Sequence, residues 1–173
     1  MPADEILITE ADIRSRLTEL AKEINAALPE GPVHVVMILK GAIIFGVDLA
    51  RALMRNATLG FLAASSYGAG TKSKGRVQID TEHLGEVEGR NVLLIDDILD
   101  TGHTFSKTID ILKSKRPASL RTCVLMDKPA RREVDIHADH VGFAIENHFV
   151  VGYGLDCDEA YRTLPDIRIY APE

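Results

Sequence analysis

Tryptophan is absent from this 173-residue chain, and aromatic residues make up only 5% of it. That is too few for the stacking platform that single-stranded nucleic acid requires. Cysteine is scarce: Cys123 and Cys157 stand too far apart for a zinc ribbon or a disulfide framework. The longest apolar stretch, Val33 to Val47, is broken by His34 and Lys40, and nothing approaches the ~18 residues of a membrane span. The start, Met-Pro-Ala-Asp-Glu, lacks the basic end and apolar centre of a signal peptide. Basic residues are in the minority, 20 against 26 acidic ones. The resulting net charge of −6 disfavours general binding to nucleic acid or anionic lipid. There is no Walker A pattern, and Gly68-Ala69-Gly70 lacks the third glycine of a dinucleotide fingerprint. These absences lead us to expect a soluble, reduced, cytoplasmic protein without nucleic-acid or membrane partners.

What is present is an ordinary globular balance, 46% apolar and 27% charged, with no repeat or linker. One domain over residues 1–173 is expected. Ile13, Leu17, Leu20, Ala21 and Ile24 recur at helical spacing, with Thr9 and Asp12 as a capping box. Strands are expected at 33–39, 59–66, 91–95, 120–126, 141–145, 149–153 and 167–170, with a short returning strand at 77–79. Two further helices carry Ile43 to Leu53 and Phe105, Ile109 and Leu112; Pro117 bounds the last. Strands alternating with helices predict an α/β fold, a mostly parallel central sheet flanked by helices. The strand-rich last third predicts an antiparallel addition at one edge. Tyr67 to Gly75, rich in Gly and Lys, reads as a mobile loop.

Ligands of such sheets bind beyond the carboxyl ends of the strands. Those ends carry Lys40-Gly41, the stretch Asp96 to Thr104, Asp127-Lys128, and Gly154, Asp156 and Glu159. Thr101, Gly102 and Thr104 lie at a helix N-terminus, where backbone N–H groups and hydroxyls suit a phosphate. Asp96, Asp97 and Asp100 would repel that anion. They suit hydroxyls, a metal ion or a proton to be moved, although Asp97 and Asp100 could also simply cap the helix. His34, His83, His137, His140 and His148 read as ordinary surface or core residues, and the cysteines as small apolar ones.

The run Val92 to Thr104 resembles the phosphoribosyl-pyrophosphate motif of type I phosphoribosyltransferases. Leu39-Lys40-Gly41, Ser65 to Gly68, Asp127-Lys128-Pro129 with Arg131-Arg132, and Phe149 to Asp156 followed by Arg162 resemble the hypoxanthine-guanine branch, in its order and spacing. The resemblance implies that family's fold, with a small hood and a mobile lid. It also implies purine salvage: phosphoribosyl transfer to hypoxanthine or guanine, giving IMP or GMP and pyrophosphate. Asp100 should be the acid/base group. Lys40, Gly41, Asp96, Asp97, Thr101, Gly102, His103, Thr104 and Arg162 should bind phosphoribosyl pyrophosphate, with a cis peptide before Lys40. Lys128, Phe149, Val150 and Asp156 should hold the purine. Asp96, Asp97 and Asp156 should bind Mg²⁺, Ser66 and Tyr67 should sit in the lid, and a homodimer or homotetramer is expected.

Two rivals compete with the enzyme. A phosphoribosyltransferase-like nucleic-acid-binding regulator would need a basic face. A receiver-type signalling domain would place its acid pair near the N-terminus, whereas Asp96 and Asp97 lie mid-chain.

Overall fold

A computed structural model describes residues 3–67 and 76–171, without the side chains of residues 65–67, 76 and 77. Residues 68–75 and the lid side chains Ser66 and Tyr67 therefore lie outside what is described.

The first helix, α1 (Glu10–Ala27), forms as its sequence predicts. Thr9 is the N-cap, its side chain accepting from the Asp12 backbone N–H, and Ile13, Leu17, Leu20, Ala21 and Ile24 are the buried face. Before it stands β1 (Glu5–Ile8), unforeseen because four residues carry little pattern and their partner is the far end of the chain. The remaining elements are β2 (Val33–Leu39), α2 (Ile43–Ala52), β3 (Ala57–Tyr67), β4 (Arg76–Asp80), β5 (Asn91–Leu99), α3 (His103–Ser114), β6 (Ser119–Asp127), a 3₁₀ turn (Pro129–Arg131), β7 (His140–Ala144), β8 (Val150–Val151) and β9 (Ile167–Ile169).

The main sheet has the order β4-β3-β2-β5-β6-β7. Every pair is parallel except β3–β4. The antiparallel edge strand is thus the mid-chain β4, which corrects the expectation that the last third would supply it. That third gives β7, parallel to β6 at the opposite edge, while β8 and β9 join β1 in a separate three-stranded antiparallel sheet. β8 is shorter than predicted because Gly152, Tyr153 and Gly154 all adopt positive φ and turn the chain out of the strand.

One apolar core lies between the sheet and α1 with α2, built on Val35, Met37, Phe45, Leu49, Leu93 and Ile95. The other lies towards α3, built on Val36, Leu62, Leu94, Phe105 and Leu112. Alternate residues of β2 and β5 therefore feed opposite cores, the strand period of two. Both faces are covered, which is why these strands read as continuous apolar runs. His34 belongs to the buried set: Nε2 donates to the Leu84 carbonyl at 2.8 Å, and Nδ1 pairs with Thr58 Oγ1.

Candidate active site

Three chain segments converge at the carboxyl ends of β2 and β5. The turn after β2 carries Lys40 and Gly41, and the Leu39–Lys40 peptide is cis, as the resemblance implies. A Cβ on Gly41 would fall 1.6 Å from Asp97 Oδ2, and one on Gly154 would fall 2.3 Å from the Gly41 carbonyl oxygen. So the turn is pressed between the end of β5 and the segment after β8, a fit that only glycine permits.

β5 runs four residues further than predicted, so Asp96 and Asp97 are strand residues. Adjacent strand positions point to opposite faces. Asp97 turns to the Gly41 side, whereas Asp96 lines a cleft of about 80 Å³ at the start of α3, with Asp100, Thr101, Gly102 and Thr104. Burial, then the neighbouring Asp97 charge, push the Asp96 carboxyl well above its ordinary range. Neither Asp97 nor Asp100 caps α3. The N-cap is Gly102 at φ 92°, with no side-chain cap. A Cβ there would meet Ile136 and Val134 at 2.6 and 2.8 Å. The capping reading of the acids is therefore overturned, and the first turn of α3 carries no side-chain cap. The His103 ring does not line that cleft. It is exposed and lies 2.8 Å from Glu133.

Asp100 follows directly at the mouth of the cleft, and Arg131 Nε donates to its Oδ1 at 3.0 Å. Arg132 ties the same corner together, donating to the carbonyls of Leu99 and Asp100 and to the Asp127 carboxylate. Neither arginine was among the residues assigned a role from sequence. Their one available signal was their place in the turn after Lys128. Lys128 is buried at the end of β6, its backbone N–H on the Leu99 carbonyl and its Nζ donating to the His148 carbonyl at 2.7 Å. Desolvation lowers its pKa from the usual lysine value.

Phe149 is 55% exposed, unusual for a ring of its size. The Tyr170 ring meets it edge-on at 5.6 Å, with Tyr161 beyond at 5.8 Å. The Val150 side chain is buried in the core, so only its backbone can face a ligand. Asp156 Oδ1 pairs with Arg162 at 2.9 Å, and Arg162 also donates to the Gly154 carbonyl. Glu159, seen in the sequence but given no role, bridges Arg162 at 3.2 Å and Lys40 at 3.1 Å. Among the described residues, no three His, Cys, Asp or Glu side chains gather as a metal site, so Asp96, Asp97 and Asp156 do not form a single cluster. A cavity of about 350 Å³ lies at the other end of the sheet, lined by Val33, His34, Thr58 and Arg90. It has no part in this constellation.

Residues 3–158 match the phosphoribosyl transferase domain family. A hypoxanthine-guanine phosphoribosyltransferase of Aquifex aeolicus is 48% identical over 164 residues, 94% of this chain and 92% of that protein. A hypoxanthine phosphoribosyltransferase of Salmonella typhimurium is 40% identical over 163 residues, 93% of this chain and 92% of that protein. The crystal structure of a hypoxanthine-guanine phosphoribosyltransferase from Bacillus anthracis, with a HEPES molecule in its active site, superposes with a TM-score of 0.91 at 37% identity. It covers 98% of this chain and 99% of that one. With its mostly parallel sheet and the acids that line its α3 cleft, this chain belongs to the hypoxanthine-guanine phosphoribosyltransferases within the phosphoribosyl transferase family.

Proposed function

We propose that this chain salvages purines by moving the 5-phosphoribosyl group from phosphoribosyl pyrophosphate to hypoxanthine or guanine. The bond from the ribose anomeric carbon to pyrophosphate breaks, a bond to a purine imidazole nitrogen forms, and the base loses a proton. The observation that carries this reading is the position of Asp100, between the α3 cleft and the Lys128 corner, with Arg131 on its carboxylate. The α3 backbone and the hydroxyls of Thr101 and Thr104 hold the 5′-phosphate. Asp100 accepts the proton at the imidazole nitrogen. Lys128 donates to the 6-oxo group, Phe149 stacks on the base, and Val150 offers backbone groups beside it. Lys40, the Gly41 turn and Arg162 hold the pyrophosphate.

Mg²⁺ fits the donor set. Asp96 and Asp97 are hard oxygen donors that leave β5 on opposite sides, and burial opposes the ionisation of both; each would offer a carboxylate to an Mg²⁺ that also takes substrate oxygens. Asp156 would serve a second ion with pyrophosphate. The ion supplies charge neutralisation of the leaving pyrophosphate. Ser66 and Tyr67 belong to a lid that excludes water from the electron-deficient ribose. The protein is read as one domain, cytoplasmic and a homodimer or homotetramer. No described helix is long and apolar enough to cross a membrane. The net charge of −6 favours this enzyme over a nucleic-acid-binding regulator.

Initial rates with phosphoribosyl pyrophosphate, Mg²⁺ and hypoxanthine test the assignment. Asp100→Asn should lower turnover roughly 10²–10⁴-fold while leaving phosphoribosyl pyrophosphate binding intact. Near-normal turnover would remove Asp100 as the base. Activity should disappear with chelator and return with Mg²⁺; activity indifferent to chelator would remove the metal.

A further inference from the structure

Glu159 joins two cations that come from opposite ends of the chain. Its Oε1 lies 3.1 Å from Lys40 Nζ, and its Oε2 lies 3.2 Å from Arg162 Nη2. One carboxylate thus spends one oxygen on each of the two groups that, in the reading above, grip pyrophosphate. We propose that Glu159 is a built-in competitor of pyrophosphate, an internal anion that the leaving group must displace on binding and that returns to Lys40 and Arg162 as pyrophosphate departs. The proposal rests on that reading of Lys40 and Arg162.

The local backbone is shaped to deliver this carboxylate. Asp158, Glu159 and Tyr161 all take positive φ, at 51°, 63° and 73°. The turn they make is closed by paired hydrogen bonds between Cys157 and Ala160. The Glu159 backbone N–H donates to Asp156 Oδ2 at 2.9 Å. Side chains rarely adopt such φ values outside tightly determined turns, so this loop fixes the point on the backbone from which the Glu159 side chain starts, beside Lys40 and Arg162.

The remaining contacts allow exchange. Arg162 stays fastened by Asp156 and by the Gly154 carbonyl when Glu159 leaves. Both Glu159 and Lys40 are well exposed. An exposed ion pair is weak and screened by salt, so a pyrophosphate with several negative charges wins the cations. The carboxylate lowers the affinity without abolishing it.

Calorimetric titration of pyrophosphate with Mg²⁺ into the wild type, Glu159→Gln, Glu159→Ala and Lys40→Ala tests this. Both Glu159 variants should bind pyrophosphate about three- to tenfold more tightly, the scale of one or two exposed pairs. The gain should shrink at high salt, and Lys40→Ala/Glu159→Gln compared with Lys40→Ala should show a smaller gain, the share due to Arg162. In steady state the KM for phosphoribosyl pyrophosphate should fall, kcat should fall or hold as release slows, and the KM for hypoxanthine should not move. A merely structural glutamate would instead lower the melting temperature and raise both KM values, and that result overturns the proposal. Unchanged or weaker pyrophosphate binding in the Glu159 variants, with Lys40→Ala weakened, overturns the competitor alone. Unchanged binding in Lys40→Ala removes the pyrophosphate reading of Lys40, and the competitor falls with it.

Discussion

At the scale of single residues, two positions test the proposed site. Lys128 offers three donors and no acceptor, so in the proposed role it would match the 6-oxygen of hypoxanthine or guanine and oppose the amino group of adenine. A site built on one polar partner can reject an analogue lacking it by roughly 10⁴–10⁵-fold. Adenine should be a very poor substrate, and Lys128→Ala should lose 6-oxopurine transfer. Comparable wild-type rates with hypoxanthine and adenine would refute the lysine's role. Gly41 is tighter still. With a Cβ due 1.6 Å from Asp97 Oδ2, Gly41→Ala must push Asp97 or the turn aside. We expect the KM for phosphoribosyl pyrophosphate to rise at least tenfold, by analogy with small displacements that cost ~10²-fold in rate, with little change in the melting temperature. Normal kinetics in that variant would show that the turn can shift freely.

At the scale of elements, the turn after β2 is held from its C-terminal side. α2 begins two residues beyond Gly41, and its Asp48 accepts a 2.8 Å hydrogen bond from the Tyr153 hydroxyl, in the segment that carries Gly154 onto Gly41. Burial and Asp48 push the Tyr153 phenol above its usual range, so it stays a donor. Tyr153→Phe removes one bond to a carboxylate and should cost about 1–3 kcal/mol, measurable as a lower urea midpoint at unchanged slope. An unchanged midpoint would mean that packing alone joins these elements. Why the acids were placed in a loop by sequence is also an element-scale matter. Asp96 and Asp97 look like turn residues, yet they extend β5 because parallel pairing with β6 continues through Leu99, a non-local bond pattern that outweighs local propensity.

At the scale of the whole molecule, α1 is tied to the far edge strand by one side chain. Arg16 donates to the carbonyls of Val141 and Gly142 and pairs with Glu23 at 2.7 Å and Glu19 at 2.9 Å. His140 lies 3.6 Å from Glu23. The hydrogen bond from Arg16 holds the Glu23 carboxyl below its ordinary value. A depressed carboxylate stabilises the fold above its unfolded pKa, about 4.3, and loses that contribution as pH falls through the folded value. The wild type should therefore unfold at higher urea than Glu23→Gln at pH 7, with the difference shrinking below about pH 4. A difference independent of pH would assign the effect to packing instead.

What the sequence determined by itself is whatever depends on near neighbours or on period. The face and cap of α1, the bounds of β2 and the helix after Gly102 were legible because 3.6- and 2-residue repeats and turn chemistry are local. The order of Lys40, Asp96 to Thr104, Lys128 and Phe149 to Arg162 was legible as a family pattern. Tertiary structure alone decided which of these meet. β1 found β9 across the chain, the edge strand fell to β4, and Gly41 came against Asp97 and Gly154. Arg131 reached Asp100, and Glu159, beside Arg162, reached Lys40 over a separation of 119 residues. Such pairings are set by how the helices and sheets pack, and no window of neighbouring residues contains the partners that packing selects.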